Sequence, residues 1–289
     1  MSRVAYVNGR YVRAEAAAVH IEDRGYQFGD GVYEVCLAAA GRFCDLPGHL
    51  ARLERSLGAL SIRPPMSMAA LKMTMRTLLR RNKLKDALVY IQVTRGVAPR
   101  NHPFPVASIE PALVMTARHF DFAGSNAQAE KGVSVVTAPD IRWGRVDIKT
   151  INLLPNVLAK QAARDAGAAE AWLVRNNGEV TEGSSSNAWI VDQTGALVTH
   201  PLGHEILGGI TRESLLLCAQ KLQIKVIERP FTIEEAKSAP EAFLTSATNL
   251  VMPVTKIDDK LVGEGRPGPV ATQLRGAYMA AAVDEEFAN

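Results

Sequence analysis

The chain has 289 residues, 47% of them hydrophobic and 22% charged, a globular balance that argues against a disordered chain or a coiled coil. Its formal charge of +3 is thinly spread and builds no dense basic face for nucleic acid; the tightest stretch, Arg76 to Lys85, reads as a solvated helix face. No run reaches the ~18 uncharged apolar residues of a membrane helix, the opening MSRVAYVNGRYVRAE lacks a signal-peptide core, and Cys36, Cys44 and Cys218 form no C-x-x-C pair, so a soluble cytoplasmic protein is expected.

In chain order, Tyr6 to Val12 reads as a hairpin, because Asn8-Gly9 tolerates the positive φ of a tight turn. Gly31 to Leu37 alternates as a strand, with Tyr33, Val35 and Leu37 on one face and Glu34 on the other. After the Gly41 turn, Phe43 to Leu46 predicts a second strand. Leucines 50, 53, 57 and 60 repeat at helical spacing over His49 to Leu60, and Met66 to Asn82 predicts another helix. Strands follow at Ala87 to Arg95 and Ala112 to His119, around a Pro-rich loop. Residues 119–131 lose periodicity and predict a linker.

Beyond it the pattern restarts. It predicts a strand at Val133 to Thr137, a helix from Leu154 to Ala166 with Pro155 in its first turn, and strands at Ala171 to Arg175, Ala188 to Val191 and Ala196 to Thr199. A helix from Thr211 to Leu222 and a strand at Phe243 to Thr245 close the series. The expected fold is therefore α+β in two domains: a smaller one over 1–121, and a larger one over 122–289 that contains Lys149.

Four local constellations carry chemistry. Lys149 lies between Ile148 and Ile151, ahead of an apolar helix, where desolvation would favour a neutral, nucleophilic amine; alone, such a lysine is ordinarily a surface cation. Val180 to Asn187 (VTEGSSSN) is either a serine-rich turn or a carboxylate and hydroxyls aimed into a pocket. Gly208-Gly209-Ile210-Thr211 runs into a helix whose free N–H groups suit a phosphate, although an ordinary cap reads the same way. Thr245 to Asn249 ends a strand in small polar residues, as a second phosphate wall or a turn. His200 and His204 are four apart, but Pro201 and Gly203 argue against the helix that would make them metal ligands.

An amine, an acid and a set of phosphate donors are what pyridoxal 5'-phosphate needs. With these residues in view, the chain resembles the fold-type IV (class IV) pyridoxal-phosphate-dependent aminotransferases, on the D-amino-acid transaminase side of that family. The resemblance runs almost end to end. It is densest in EDRGYQFGDGVYEV (22–35), VTRGVAPRNHPFP (93–105), DIRWGRVDIKTINLL (140–154), VTEGSSSN (180–187) and GGITR (208–212). It implies that Lys149 carries the cofactor and moves the substrate's Cα proton. It implies that Glu182 pairs with the pyridine nitrogen, and that Arg52 binds phosphate together with Ile210, Thr211, Ser246 and Ala247. Tyr33, Arg100 and His102 would capture the substrate α-carboxylate, the last two from a loop expected to reach the neighbouring subunit of a homodimer.

The implied reaction is ping-pong transfer of an amino group from a D-amino acid such as D-alanine to a 2-oxo acid such as 2-oxoglutarate. A branched-chain L-amino-acid aminotransferase, an aminodeoxychorismate lyase or an (R)-amine transaminase would share the fold, and a catalytically silent scaffold could retain it. Three positions depart from the family pattern. Leu37 stands where some D-amino-acid enzymes have lysine, Ala247 where a threonine hydroxyl often meets phosphate, and Gly208 where a larger residue precedes the turn.

Overall fold

Asn8 and Gly9 turn the chain back with φ of 45° and 89°, setting the register of a hairpin between β1 (Val4–Val7) and β2 (Arg10–Arg13). The Asn8 side chain accepts the Leu113 N–H at 2.8 Å, so the turn is tied to the sheet it opens. A computed structural model describes residues 3–106 and 109–284. They fall into two compact units. The first runs to Asp121 and includes Ile148–Asn152; the second comprises Phe122–Asp147 and the chain from Leu153 onward.

The first unit continues with α1 (Arg24–Phe28), β3 (Gly31–Ala39), β4 (Arg42–Phe43), α2 (Leu46–Ala59), α3 (Met68–Asn82), β5 (Ala87–Thr94) and β6 (Ala112–His119). Its strands make one antiparallel sheet in the order β2-β1-β6-β5-β3-β4. The helical leucine spacing of α2 and α3 supplies an apolar stripe. Leu53, Leu57, Leu71, Met75 and Leu78 pack on Val32, Cys36, Val89, Ile91 and Met115 of the sheet. Alternation in β3 holds as far as Cys36, beyond which Leu37 is buried as well, and the face bearing the charge is a buried one. Val32, Glu34, Cys36 and Ala38 are inside, whereas Tyr33 and Val35 are partly exposed. The reason is α2, which presents a cation to Glu34.

The second unit comprises α4 (Phe122–Lys131), β7 (Val133–Pro139), α5 (Leu154–Asp165), β8 (Glu170–Val174), β9 (Val180–Gly183), β10 (Asn187–Val191), β11 (Leu197–Thr199), α6 (Ile210–Lys221), β12 (Val226–Glu228), α7 (Ile233–Ser238), β13 (Glu241–Ser246), β14 (Leu250–Ile257), β15 (Lys260–Leu261) and α8 (Pro269–Asp284). The sheet order is β12-β11-β10-β13-β14-β7-β8-β9, with β15 hung on β14. The pairs β14/β7, β7/β8 and β11/β12 are parallel and the rest antiparallel, so the fold is α+β. Trp172, Val180, Ile190, Val198, Leu244 and Met252 are among its core side chains.

Three expectations need correction. The strand predicted at Phe43 to Leu46 is only Arg42–Phe43, and Leu46 opens α2 instead. The segment predicted as a linker is largely α4: its Ala, Gln, Glu and Lys favour helix, but only Ala129 is buried, so no apolar period announces it. Lys149 lies in the second domain by sequence order, yet 148–152 packs within the first unit. Thr150 bridges to Val32, the Tyr33 N–H donates to the Lys149 carbonyl at 3.0 Å, and Ile151 donates to Gly31 at 3.1 Å. Ile148 joins the first unit's core. A strand-like contact of five residues is too short to show as a periodic pattern.

Candidate active site

In the first unit, the bridge between β3 and 148–152 sets Lys149 beside Tyr33, with the lysine Nζ 4.2 Å from the centre of the phenol ring. Lys149 is half-buried. Its backbone N–H reaches the Ser56 hydroxyl of α2 at 3.4 Å. Tyr33 packs against Tyr90 of β5, ring centres 5.7 Å apart. Burial, reinforced by the Tyr33 phenol, pushes Tyr90 up to about 12, so Tyr90 stays a neutral donor, and its hydroxyl bonds Gln92 at 2.7 Å.

Behind Tyr33, on the opposite face of β3, Arg52 grips Glu34 with a bidentate pair, Nε to Oε1 at 2.7 Å and Nη2 to Oε2 at 2.8 Å. His49 Nδ1 lies 2.8 Å from the same carboxylate. Burial raises the Glu34 carboxyl, but the charge and hydrogen bonds of Arg52, with His49, outweigh it and hold the group well below the usual range. Arg52, expected on the phosphate, is therefore also the counter-ion of a buried acid. Sequence reasoning missed Glu34 and His49 as its partners. The available signal was a glutamate inside an otherwise apolar strand.

Arg100 and His102 lie exposed on the loop after β5. Both approach the Phe28 ring, the Arg100 guanidinium at 4.7 Å and the His102 ring at 5.4 Å.

In the second unit, Glu182 ends β9 with its side chain buried. Its carboxylate accepts from Arg142 Nη1, from Asn187 Nδ2 at 2.9 Å and from the Leu207 N–H at 3.1 Å. Arg142 is shared with Asp140, at 2.9 and 2.7 Å, and reaches the Glu205 carbonyl at 3.2 Å. Burial opposes the charge on Arg142, but Asp140 and Glu182 more than compensate and raise it; Asp140 in turn is held below its ordinary range. Arg142 and Asp140 stand inside a motif already singled out, but their partner is a remote strand.

Asn187 also donates to the Leu207 carbonyl at 2.9 Å, which fixes the turn into α6. Gly209 precedes α6 with no side-chain cap. A Cβ there would lie 2.0 Å from the Asn187 amide oxygen, so glycine is required by close approach. Ile210 and Thr211, both buried, form the first turn of α6. Ser246 and Ala247 follow β13, where the Ser246 hydroxyl accepts the Asn249 N–H at 3.0 Å and meets Thr248 at 3.2 Å.

The three serines of VTEGSSSN are committed to one carboxylate. Ser184, Ser185 and Ser186 all donate to buried Glu170 of β8, the second and third at 2.8 and 3.2 Å. His200 is buried with Nδ1 2.9 Å from the Pro201 carbonyl, and among the described residues no cluster of metal-ligating side chains occurs.

The first unit thus sets an amine beside a phenol, and the second holds an acid gripped by arginine and a glycine-led helix start. Residues 31–257 match the amino-transferase class IV family, and the chain belongs to that family. It is 42% identical to the D-alanine aminotransferase of Bacillus licheniformis over 96% of both chains. It is 40% identical to that of Staphylococcus haemolyticus, over 94% of this chain and 95% of the relative. Among solved structures, a T.th. branched-chain amino acid aminotransferase with pyridoxamine 5'-phosphate aligns at TM-score 0.87 and 27% identity, covering 98% and 95% of the two chains. The branched-chain aminotransferase of Thermoproteus uzoniensis with norvaline aligns at 0.86 and 26%, covering 99% and 97%.

Proposed function

We propose that the chain is a pyridoxal-phosphate-dependent D-amino-acid transaminase, passing the amino group of a D-amino acid such as D-alanine to a 2-oxo acid such as 2-oxoglutarate in two half-reactions. The observation that carries this reading is the adjacency of Lys149 and Tyr33, a reacting amine 4.2 Å from the phenol that would receive the substrate carboxylate. The relatives named D-alanine aminotransferase support the substrate class.

The donor sets fit the cofactor. Glu182, paired with the permanent cation of Arg142, offers a fixed acceptor to a protonated pyridine nitrogen. The uncapped start of α6, with the Thr211 hydroxyl, offers donors to a phosphate, joined in this reading by Arg52, Ser246 and the Ala247 backbone. When bound, pyridoxal phosphate supplies an aldehyde for the amine and a ring that takes up the electron pair released at Cα. Lys149 Nζ would hold the cofactor by that aldehyde and would move the proton on and off Cα. The face from which it does so fixes the configuration of the product. Tyr33, Arg100 and His102 orient the substrate by its α-carboxylate through charge-assisted hydrogen bonds.

We also infer a homodimer. Leu154, Val157 and Leu158 stand exposed on one face of α5, and Phe104 and Val106 are exposed on the Arg100 loop, surface that a second copy would cover. No helix of the described residues is long and apolar enough to cross a membrane.

The test is half-reaction spectroscopy of the holoenzyme with both enantiomers of alanine, glutamate and leucine, with borohydride trapping to map the modified lysine. D-alanine should discharge the cofactor band and the label should map to Lys149. The fold likeness to branched-chain enzymes makes L-leucine the competing substrate. A response to L-leucine and to no D-amino acid overturns the assignment.

A further inference from the structure

Arg100 and His102 sit on an exposed loop, and among the described residues neither side chain hydrogen-bonds to the protein. Phe28 is the aromatic surface against which both rest. Something must fix the backbone beneath them, and one buried side chain does so. Arg24 of α1 donates from Nη1 to the Asn101 carbonyl at 2.6 Å and from Nη2 to the His102 carbonyl at 3.1 Å. Its Nε holds Asp30 at 2.8 Å, and its guanidinium lies 4.8 Å from the Phe28 ring centre, so Arg24, Arg100 and His102 share one aromatic support.

Asp30 is itself held from a second side. Arg95 binds both of its oxygens, at 2.8 and 3.0 Å, and is anchored in turn on the carbonyls of Leu60 and Ser61 at 2.8 and 3.1 Å. Phe104, at the far end of the loop, stacks 3.6 Å from the Arg95 guanidinium. Backbone bonds run alongside: Arg24 N–H to Gly96 at 2.9 Å, Arg95 N–H to Asp30 at 3.0 Å and Ala98 N–H to Glu22 at 3.3 Å. The network ends on the carbonyls of Asn101 and His102 and leaves the donors of Arg100 and His102 uncommitted.

We propose that Arg24 is a positioning residue for substrate selection: by holding the Asn101 and His102 carbonyls it presents Arg100 and His102 to the α-carboxylate, and so sets the preference for amino acids over amines that lack one. The inference rests on the reading of Arg100 and His102 as carboxylate binders. Arginine is required because its planar fork serves two carbonyls and a carboxylate at once; the point charge of lysine cannot. The effect belongs in substrate binding, because Arg24 holds the loop and touches no reacting atom.

The test compares holoenzyme variants Arg24→Met, Arg24→Lys, Arg100→Ala and the Arg24→Met/Arg100→Ala double. Half-reaction rates are read against concentration of D-alanine, and at fixed concentration of (R)-1-phenylethylamine, a primary amine without a carboxylate. Binding of propionate, which has a carboxylate and no amine, is measured by calorimetry. Arg24→Met should weaken D-alanine and propionate by about tenfold, the worth of misaligned charge-assisted bonds, with the limiting rate and the amine rate within about twofold of the parent. Arg24→Lys should fall between, and the double variant should bind D-alanine more weakly than Arg100→Ala, but by less than the about tenfold that Arg24→Met costs in the parent, because only His102 is then left for Arg24 to position.

If Arg100→Ala leaves D-alanine and propionate binding unchanged, the carboxylate-trap reading fails. If Arg100→Ala weakens both while Arg24→Met does not, or if Arg24→Met slows D-alanine and the amine alike, the proposal for Arg24 is overturned. Should Arg24→Met not fold, Arg24→Lys carries the same comparison.

Discussion

At the scale of single residues, the first unit depends on a charge placed inside an apolar strand. Arg52 and His49 hold buried Glu34 as an anion, and Glu34 in turn favours the buried cation of Arg52. Glu34→Gln should therefore cost about 3–5 kcal/mol in chemical denaturation, since it removes one charge of a buried pair and leaves the other in place. The carboxyl lies below its ordinary 4.5 in the folded chain, so the folded state binds fewer protons than the unfolded one as acid is added. Its contribution is complete above about pH 5 and lost as the pH falls further, and Asp140 shifts the same way. Denaturation midpoints measured from pH 7 to pH 3 should fall less steeply in Glu34→Gln than in the parent.

Arg142 does for Glu182 what Arg52 does for Glu34. Arg142→Met leaves Glu182 with Asn187 and the Leu207 N–H as its remaining named donors. The half-reaction with D-alanine should slow by about 10–100-fold, with partial recovery in Arg142→Lys, as stopped-flow absorbance would show. An equal loss in both variants would point to packing instead of charge.

At the scale of elements, sequence periodicity located most of what it could reach. The helices α2 and α3 and the strands β5 and β6 lie within a few residues of their predicted bounds, because each presents an apolar face to one core. The α4 helix did not show, since it buries little, and neither did β14 and α8, for which no pattern was drawn. The turn into α6 is an element set by contact instead of periodicity. Gly209 has an ordinary φ of −71°, so its requirement is steric, against Asn187. Gly209→Ala should push Asn187 off Glu182 and weaken cofactor retention by about tenfold on dialysis, and it should cost less in an Asn187→Ala background, where the clash is gone.

At the scale of the whole molecule, the exposed apolar side chains of α5 set the expected assembly. Leu158→Glu should halve the mass seen by light scattering without unfolding the chain, because a charge at a dry interface is costly whereas on a solvated helix it is nearly neutral. A parent that runs as a monomer at all concentrations would remove the homodimer.

The sequence by itself determined the family, and it singled out Lys149, Glu182 and the Gly208-Gly209 turn as candidates, because these lie in short motifs whose chemistry is local. It also determined the α+β class, because periodicities of two and 3.6 report how a segment faces a core. Only the tertiary structure decided that Glu34 faces inward against Arg52, eighteen positions away, that Arg142 grips Glu182 forty positions away, and that the segment carrying Lys149 packs beside Tyr33. These pairings depend on which elements lie side by side. A buried ion's environment is made by partners remote in the chain, and no spacing along the sequence encodes them.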